Sequence, residues 1–133
     1  MEPESREQNA TVMGIVAAAA ASYAKAGYFT IIDGIVIPDW FLGPVRDALA
    51  ESGCRAAYAV LRAPLGECLR RAEARDDALG DPAVIEQLWT TFADVGDLEH
   101  HVVEIDGRAP AEVAKTLREL LHEGRLDLSP PSG

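Results

Sequence analysis

Residues 56–75 read AAYAVLRAPLGECLRRAEAR. The apolar run Ala56 to Leu61 predicts a buried strand, and Pro64 predicts the opening of a helix that continues to about Arg75, because proline fits the first helical turn and β-branched residues suit a strand. A strand running directly into a helix is the repeating unit of a parallel sheet. The same unit recurs on both sides of this stretch.

Downstream, a polar stretch Asp76 to Asp81 is expected to form a flap, Pro82 opens a further helix through Val95, and His101 to Ile105 reads as a strand. Asp106-Gly107 makes a turn. Pro110 then starts a last helix carrying Val113, Leu117, Leu120 and Leu121 on its apolar stripe, ended by Gly124. Upstream, Arg6 to Ala26 is Ala-rich and free of proline, with Val12, Ile15, Val16 and Tyr23 near one helical face and Gly27 placed to stop it. Tyr28 to Ile32 reads as another buried strand entering the turn Asp33-Gly34. Gly43-Pro44 and Gly53 bracket the helix that follows. The alternation predicts an α/β fold with a parallel sheet covered on both faces, one domain over residues 1–128 and a loose tail over 129–133.

With 48% hydrophobic and 26% charged residues, the 133-residue chain has an ordinary globular composition. Its formal net charge of −10 repels phosphate backbones and anionic lipid, so neither nucleic acid nor membrane is an expected partner. The apolar run Ile15 to Ala21 is too short to span a bilayer. Cys54 and Cys68 have neither disulfide-framework nor zinc spacing, and His100, His101 and His122 do not form a metal pattern. A cytoplasmic location is the expectation.

In open parallel sheets ligands gather beyond the C-terminal strand ends, which directs attention to Asp33-Gly34, Leu61 to Pro64 and Asp106 to Pro110. Arg71 and Arg75 lie four apart on the predicted helix, where two guanidinium groups on one face can hold phosphate oxygens. The plainer reading is that Glu67 pairs with Arg71 one turn away, while Arg70 points elsewhere. Asp33 reads first as an ordinary turn former or helix cap, and second as a holder of a Mg²⁺ water or a substrate hydroxyl. A phosphatase of the haloacid type would need a second aspartate where Ile35 stands. Trp40 and Phe41 are expected to line a substrate pocket or pack over a sheet edge, and Trp89 and Phe92 to lie in the core.

Taken in order, YFTIIDGIVIPDWFL (28–42), AYAVLRAPLGECLRRAEAR (57–75) and HHVVEIDGRAPAEVAKTLRELL (100–121) resemble the P-loop small-molecule kinases, the group that includes chloramphenicol phosphotransferase and gluconate- or shikimate-type kinases. The resemblance implies a three-layer parallel sheet of the P-loop NTPase type and an ATP- and Mg²⁺-dependent phosphotransferase acting on a small hydroxyl compound. It assigns Asp33 to the catalytic position near Mg²⁺ and the acceptor. Arg71 and Arg75 become lid arginines over the ATP phosphates, Gly107 and Arg108 neighbours of the adenine, and Gly34, Ile37, Trp40 and Phe41 the acceptor side. The loop G-x-x-x-x-G-K-[ST], which holds the β- and γ-phosphates in that family, is absent from the sequence. The expectation is therefore an N-terminally incomplete domain with little activity by itself, in which the strands close the gap or another chain fills it; a homo-oligomer is a further expected partner arrangement. The alternative is a non-catalytic binding or assembly module that retains a degenerate kinase fold.

Overall fold

The computed structural model describes residues 3–75 and 80–128. The predicted flap therefore lies mostly outside the described residues, as does the expected tail 129–133. The protein is mixed α/β: among the described residues five α-helices, α1 (Pro3–Lys25), α2 (Gly43–Glu51), α3 (Leu65–Glu73), α4 (Pro82–Ala93) and α5 (Pro110–His122), accompany two short strands, β1 (Val60–Arg62) and β2 (Val102–Glu104). Two compact units are distinguishable, Met1–Ala57 with Asp127–Gly133 and Tyr58–Leu126. Among the described residues no helix is long and apolar enough to cross a membrane.

In the first unit α1 packs against α2 and against the π-helical turn Pro38–Leu42. The buried face of α1 is Ala17, Ala20 and Ala21, whose methyl side chains lie on one side of the helix and allow close approach; Ile37, Phe41, Leu42 and Val45 complete this core. Of the apolar residues expected near one helical face, only Val16 is even half-buried. Val12, Ile15 and Tyr23 are exposed, and the small alanines take their place.

Helix α1 ends as the sequence predicts. Gly27 adopts φ +95°, a backbone conformation that a Cβ disfavours, and the Tyr28 N–H reaches back to the Tyr23 carbonyl at 3.1 Å. The Tyr23 and Tyr28 rings meet edge-on at 6.0 Å, the apolar contact that accompanies this type of helix stop.

The expected strand Tyr28 to Ile32 is corrected by the structure. Residues 28–33 form neither helix nor strand, and Gly34 bends the chain. Phe29, Ile31 and Tyr28 are 79%, 76% and 66% exposed. A strand of this length is stable only through a ladder with a neighbour, and the two strands of this sheet pair with each other instead.

In the second unit β1 and β2 run parallel, with Val60 opposite Val102, Leu61 opposite Val103 and Arg62 opposite Glu104. The second and third expected strands both form, over shorter spans than Ala56 to Leu61 and His101 to Ile105, and they pair with each other. The start of the first of these ranges does something else: Ala57 bridges antiparallel to Asp127 within the first unit. Val60, Ala63, Ala72, Val103, Val113 and Leu126 are the buried apolar residues of the second unit, and His101 is buried as well, beside Tyr58 and His100.

Trp89 and Phe92, expected in the core, are half-buried. Trp89 has a defined role: its indole Nε1–H donates to the Ala63 carbonyl at 2.9 Å and fastens α4 to the end of β1.

Candidate functional site

The C-terminal ends of β1 and β2 are adjacent, because the Ile105 N–H donates to the Arg62 carbonyl at 2.9 Å. Each strand leads into a helix whose start carries proline, Pro64 before α3 and Pro110 in α5. This edge gathers Ala63, Pro64 and the turn Asp106-Gly107. The turn closes with the Arg108 N–H on the Ile105 carbonyl at 3.1 Å, and Gly107 takes φ +70°. A Cβ at Gly107 would meet nothing within 4 Å, so backbone conformation and not space selects glycine there.

The strongest side-chain constellation at this edge belongs to Arg62, a residue the sequence reading did not single out. Its Nε donates to Glu104 Oε1 at 2.9 Å, and its two terminal nitrogens bind both Glu99 carboxylate oxygens at 3.0 Å. One of them also donates to the carbonyls of Phe92 and Ala93 at 3.2 and 3.0 Å. The end of α4, the 3₁₀ segment Gly96–His101 and β2 are thereby tied to β1 through one guanidinium. The two carboxylates hold the charged form of Arg62 in place, Glu99 first, and Glu99 in turn is held below the usual carboxylate range by that guanidinium and by the Val95 N–H. Its signal in the sequence is slight: an arginine closing an apolar strand.

Arg108 is folded back on its own neighbourhood. It donates to the carbonyls of Glu104 at 3.4 Å and Glu112 at 3.3 Å and to the Thr116 hydroxyl. Arg71 lies six residues into α3, about 9 Å along the helix from its start at the strand edge. Its Nε donates to Glu67 at 2.9 Å. Arg70, expected to point elsewhere, binds the same carboxylate through Nε and a terminal nitrogen at 2.9 and 2.6 Å. Arg70 and then Arg71 hold the Glu67 carboxyl down at about 2. Arg71 remains about half exposed, with both terminal nitrogens without a partner among the described residues. Arg75 follows the end of α3 and is exposed.

The remaining expected residues lie in the first unit. Asp33 and Gly34 are exposed on the irregular segment. Ile37 and Phe41 are 5% and 4% exposed and belong to the core of that unit. Trp40, half-buried, is covered by the Arg6 guanidinium 4.5 Å from its ring centre, a cation–π contact. The structure thus places the expected acceptor-side residues in one unit and Arg71, Arg75, Gly107 and Arg108 in the other. An open depression of about 300 Å³ in the first unit is lined by Arg46, Cys54, Arg55 and Asp127 among others, and by none of the expected site residues. Arg55 is held there by Asp127 at 2.9 Å.

Among the described residues no group of three or more His, Cys, Asp or Glu side chains is arranged to hold a metal ion. The buried polar centre of the second unit is His101, 2% exposed, whose Nδ1 lies 2.8 Å from the Tyr58 carbonyl. Burial lowers its pKa and pushes the Tyr58 phenol up to about 12. No family model matches the sequence, and no curated protein matches it.

Proposed function

We propose that the chain is the nucleotide-facing part of an ATP- and Mg²⁺-dependent phosphotransferase of the P-loop kinase type, a three-layer sheet protein acting on a small hydroxyl compound. The phosphate-holding loop would come from residues other than these 133. The observation that carries this reading is the parallel pairing of β1 and β2, each running into a helix at a shared C-terminal edge, which is where such folds receive nucleotides. Arg71 fits a phosphate in part, since its terminal nitrogens have no partner among the described residues. Bound Mg-ATP would supply the transferable phosphoryl group. Arg71 and Arg75 would hold its oxygens, Gly107 and Arg108 would border the base, and Asp33 would accept the acceptor's hydroxyl proton, with Gly34, Ile37, Trp40 and Phe41 on the acceptor side. By itself the chain would turn over little or no substrate.

A second reading, a non-catalytic binding or assembly module, is favoured by the way Glu67 occupies Arg70 and Arg71 and by the burial of Ile37 and Phe41. Calorimetric titration of the chain with Mg-ATP separates the two. The nucleotide reading expects weak binding, strengthened severalfold in Glu67→Gln, which frees both guanidinium groups, and lost in Arg71→Ala/Arg75→Ala with helical circular dichroism unchanged. Equal titrations for all three proteins, or no heat in any, would leave the assembly reading standing.

A further inference from the structure

The segment Tyr28 to Ile32 combines three properties rarely left together on a protein surface. It is aromatic and β-branched throughout, its large side chains Tyr28, Phe29 and Ile31 are 66%, 79% and 76% exposed, and the backbone N–H groups of residues 29–33 have no partner among the described residues. Exposed chain of this kind is a template for strand addition. We propose that it pairs with the same segment of a second copy of this chain, as an antiparallel two-fold strand pair centred on Thr30.

Self-complementarity singles out a second copy. In that register Phe29 stands opposite the partner's Ile31, Tyr28 opposite the partner's Ile32, and the two Thr30 residues oppose each other. Aromatic against β-branched and threonine against threonine are the cross-strand pairs that stabilise antiparallel ladders. The charges agree as well. The chain carries a net charge of −10, so two copies repel over most of their surface, yet Gln8 to Ala24 and Ala26 to Ile32 contain no charged residue. Asp33, at one end of the segment, meets the partner's Gly27, beside Lys25, the lone cation between Arg6 and Arg46.

Area sets the strength of the association. Tyr28, Phe29 and Ile31 together expose roughly 400 Å², about half of what one partner contributes to a standard interface. The exposed face of α1 adjoins them through the Tyr23–Tyr28 ring contact and adds Ile15 and Tyr23 at 65% and 60% exposure. A concentration-dependent dimer follows, closed by its two-fold axis. This inference stands on residues 15–33 and is independent of the nucleotide reading.

Sedimentation equilibrium of the full chain over a range of concentrations tests it. The expected result is a reversible rise from 14.3 kDa to twice that mass. Phe29→Lys/Ile31→Lys should weaken the dimer by at least about 100-fold, since it sets lysine against lysine across the pair. Helical circular dichroism should not change. Thr30→Cys, in a background with Cys54 and Cys68 replaced by serine, should crosslink quantitatively on mild oxidation, because opposed central residues stand about 4.5–5.5 Å apart. Phe29→Cys in the same background should crosslink far more slowly. A chain that stays at 14.3 kDa, an association unaffected by the lysine pair, open-ended oligomers, or equal crosslinking at Thr30 and Phe29 would each overturn the proposal.

Discussion

Two stretches of this chain close on the same letters and end differently. Residues 30–34 read TIIDG and residues 103–107 read VEIDG. The second begins inside β2, with Val103 buried and the Ile105 amide bonded to the Arg62 carbonyl before the Asp-Gly turn. The first, more β-prone by composition, has amides without a partner among the described residues and Ile31 76% exposed. Propensity is therefore not what separates them. Val102 to Glu104 have β1 beside them and a core beneath, whereas Thr30 to Asp33 have neither, and a strand without a ladder partner has no reason to stay extended.

The largest way to break the comparison is to place the same charge in both stretches. Val103→Asp would bury an unpaired carboxylate at a position only 5% exposed and should cost about 3–5 kcal/mol in urea denaturation, enough to unfold the second unit under mild conditions. An unfolding free energy unchanged by Val103→Asp would mean that β2 is not a core strand in solution.

Next in size is the clamp that β2 has and the first stretch lacks. Arg62→Ala removes the guanidinium that joins Glu104, Glu99 and the carbonyls of Phe92 and Ala93, and should destabilise by about 2–3 kcal/mol. Arg62→Lys should recover only part of this, since an ammonium cannot span the same fork. Full recovery by lysine would reduce the network to a simple point charge.

A smaller effect is expected from pH, again confined to the strand that formed. His101 sits at the entry to β2 with its ring against Tyr58 and His100, and burial lowers its pKa from the ordinary 6.5. The unfolded chain then binds the proton first. Stability should be full above about pH 7 and fall as the pH drops through 6.5 toward the folded-state value, then level off. Thermal melts of the protein and of His101→Gln from pH 8 to 5 would show it, with the slope lost in the variant. Glu67 enters only at lower pH: held at about 2, its contribution is present above 4.5 and is lost as pH falls from there.

How much of this was legible follows from the same contrast. Pro64, Pro82, Pro110 and the stop at Gly27 act through their own backbone, so the helix borders could be read locally. The strands after Tyr58 and after His101 were legible because each is an apolar run followed by a proline-started helix, whereas their pairing with each other was not. What could not be read is anything that depends on a distant neighbour. Ala17, Ala20 and Ala21 face α2 in place of the bulkier Val12, Ile15 and Tyr23 because close approach and not hydrophobicity chose the face. Arg62 was invisible because its four partners lie 30 to 42 residues away. Arg71 and Glu67, one turn apart, were readable as a pair, but the joining of Arg70 to the same carboxylate was not.

The smallest expected effect is the one that sharpens the comparison most. Ile31→Asp puts the same charge into the exposed stretch, two residues before Asp33 where Val103 stands three before Asp106, and in dilute solution it should change the unfolding free energy by no more than about 0.5 kcal/mol. Ile31 has almost no buried surface to lose, and no backbone ladder there responds to the side chain. Amide hydrogen exchange supplies the independent check. Under the same conditions residues 29–33 should exchange close to the rate of unstructured chain, while the Ile105 amide, bonded to Arg62, should be protected to the stability of the second unit. Raising the concentration should slow exchange in 29–33 and leave Ile105 unchanged, since a strand partner supplied by a second copy would give Thr30 to Asp33 what β1 already gives Val102 to Glu104. Slow exchange in 29–33 at every dilution would instead mean that the first stretch has a partner within its own chain, and the contrast between the two Asp-Gly strands would collapse.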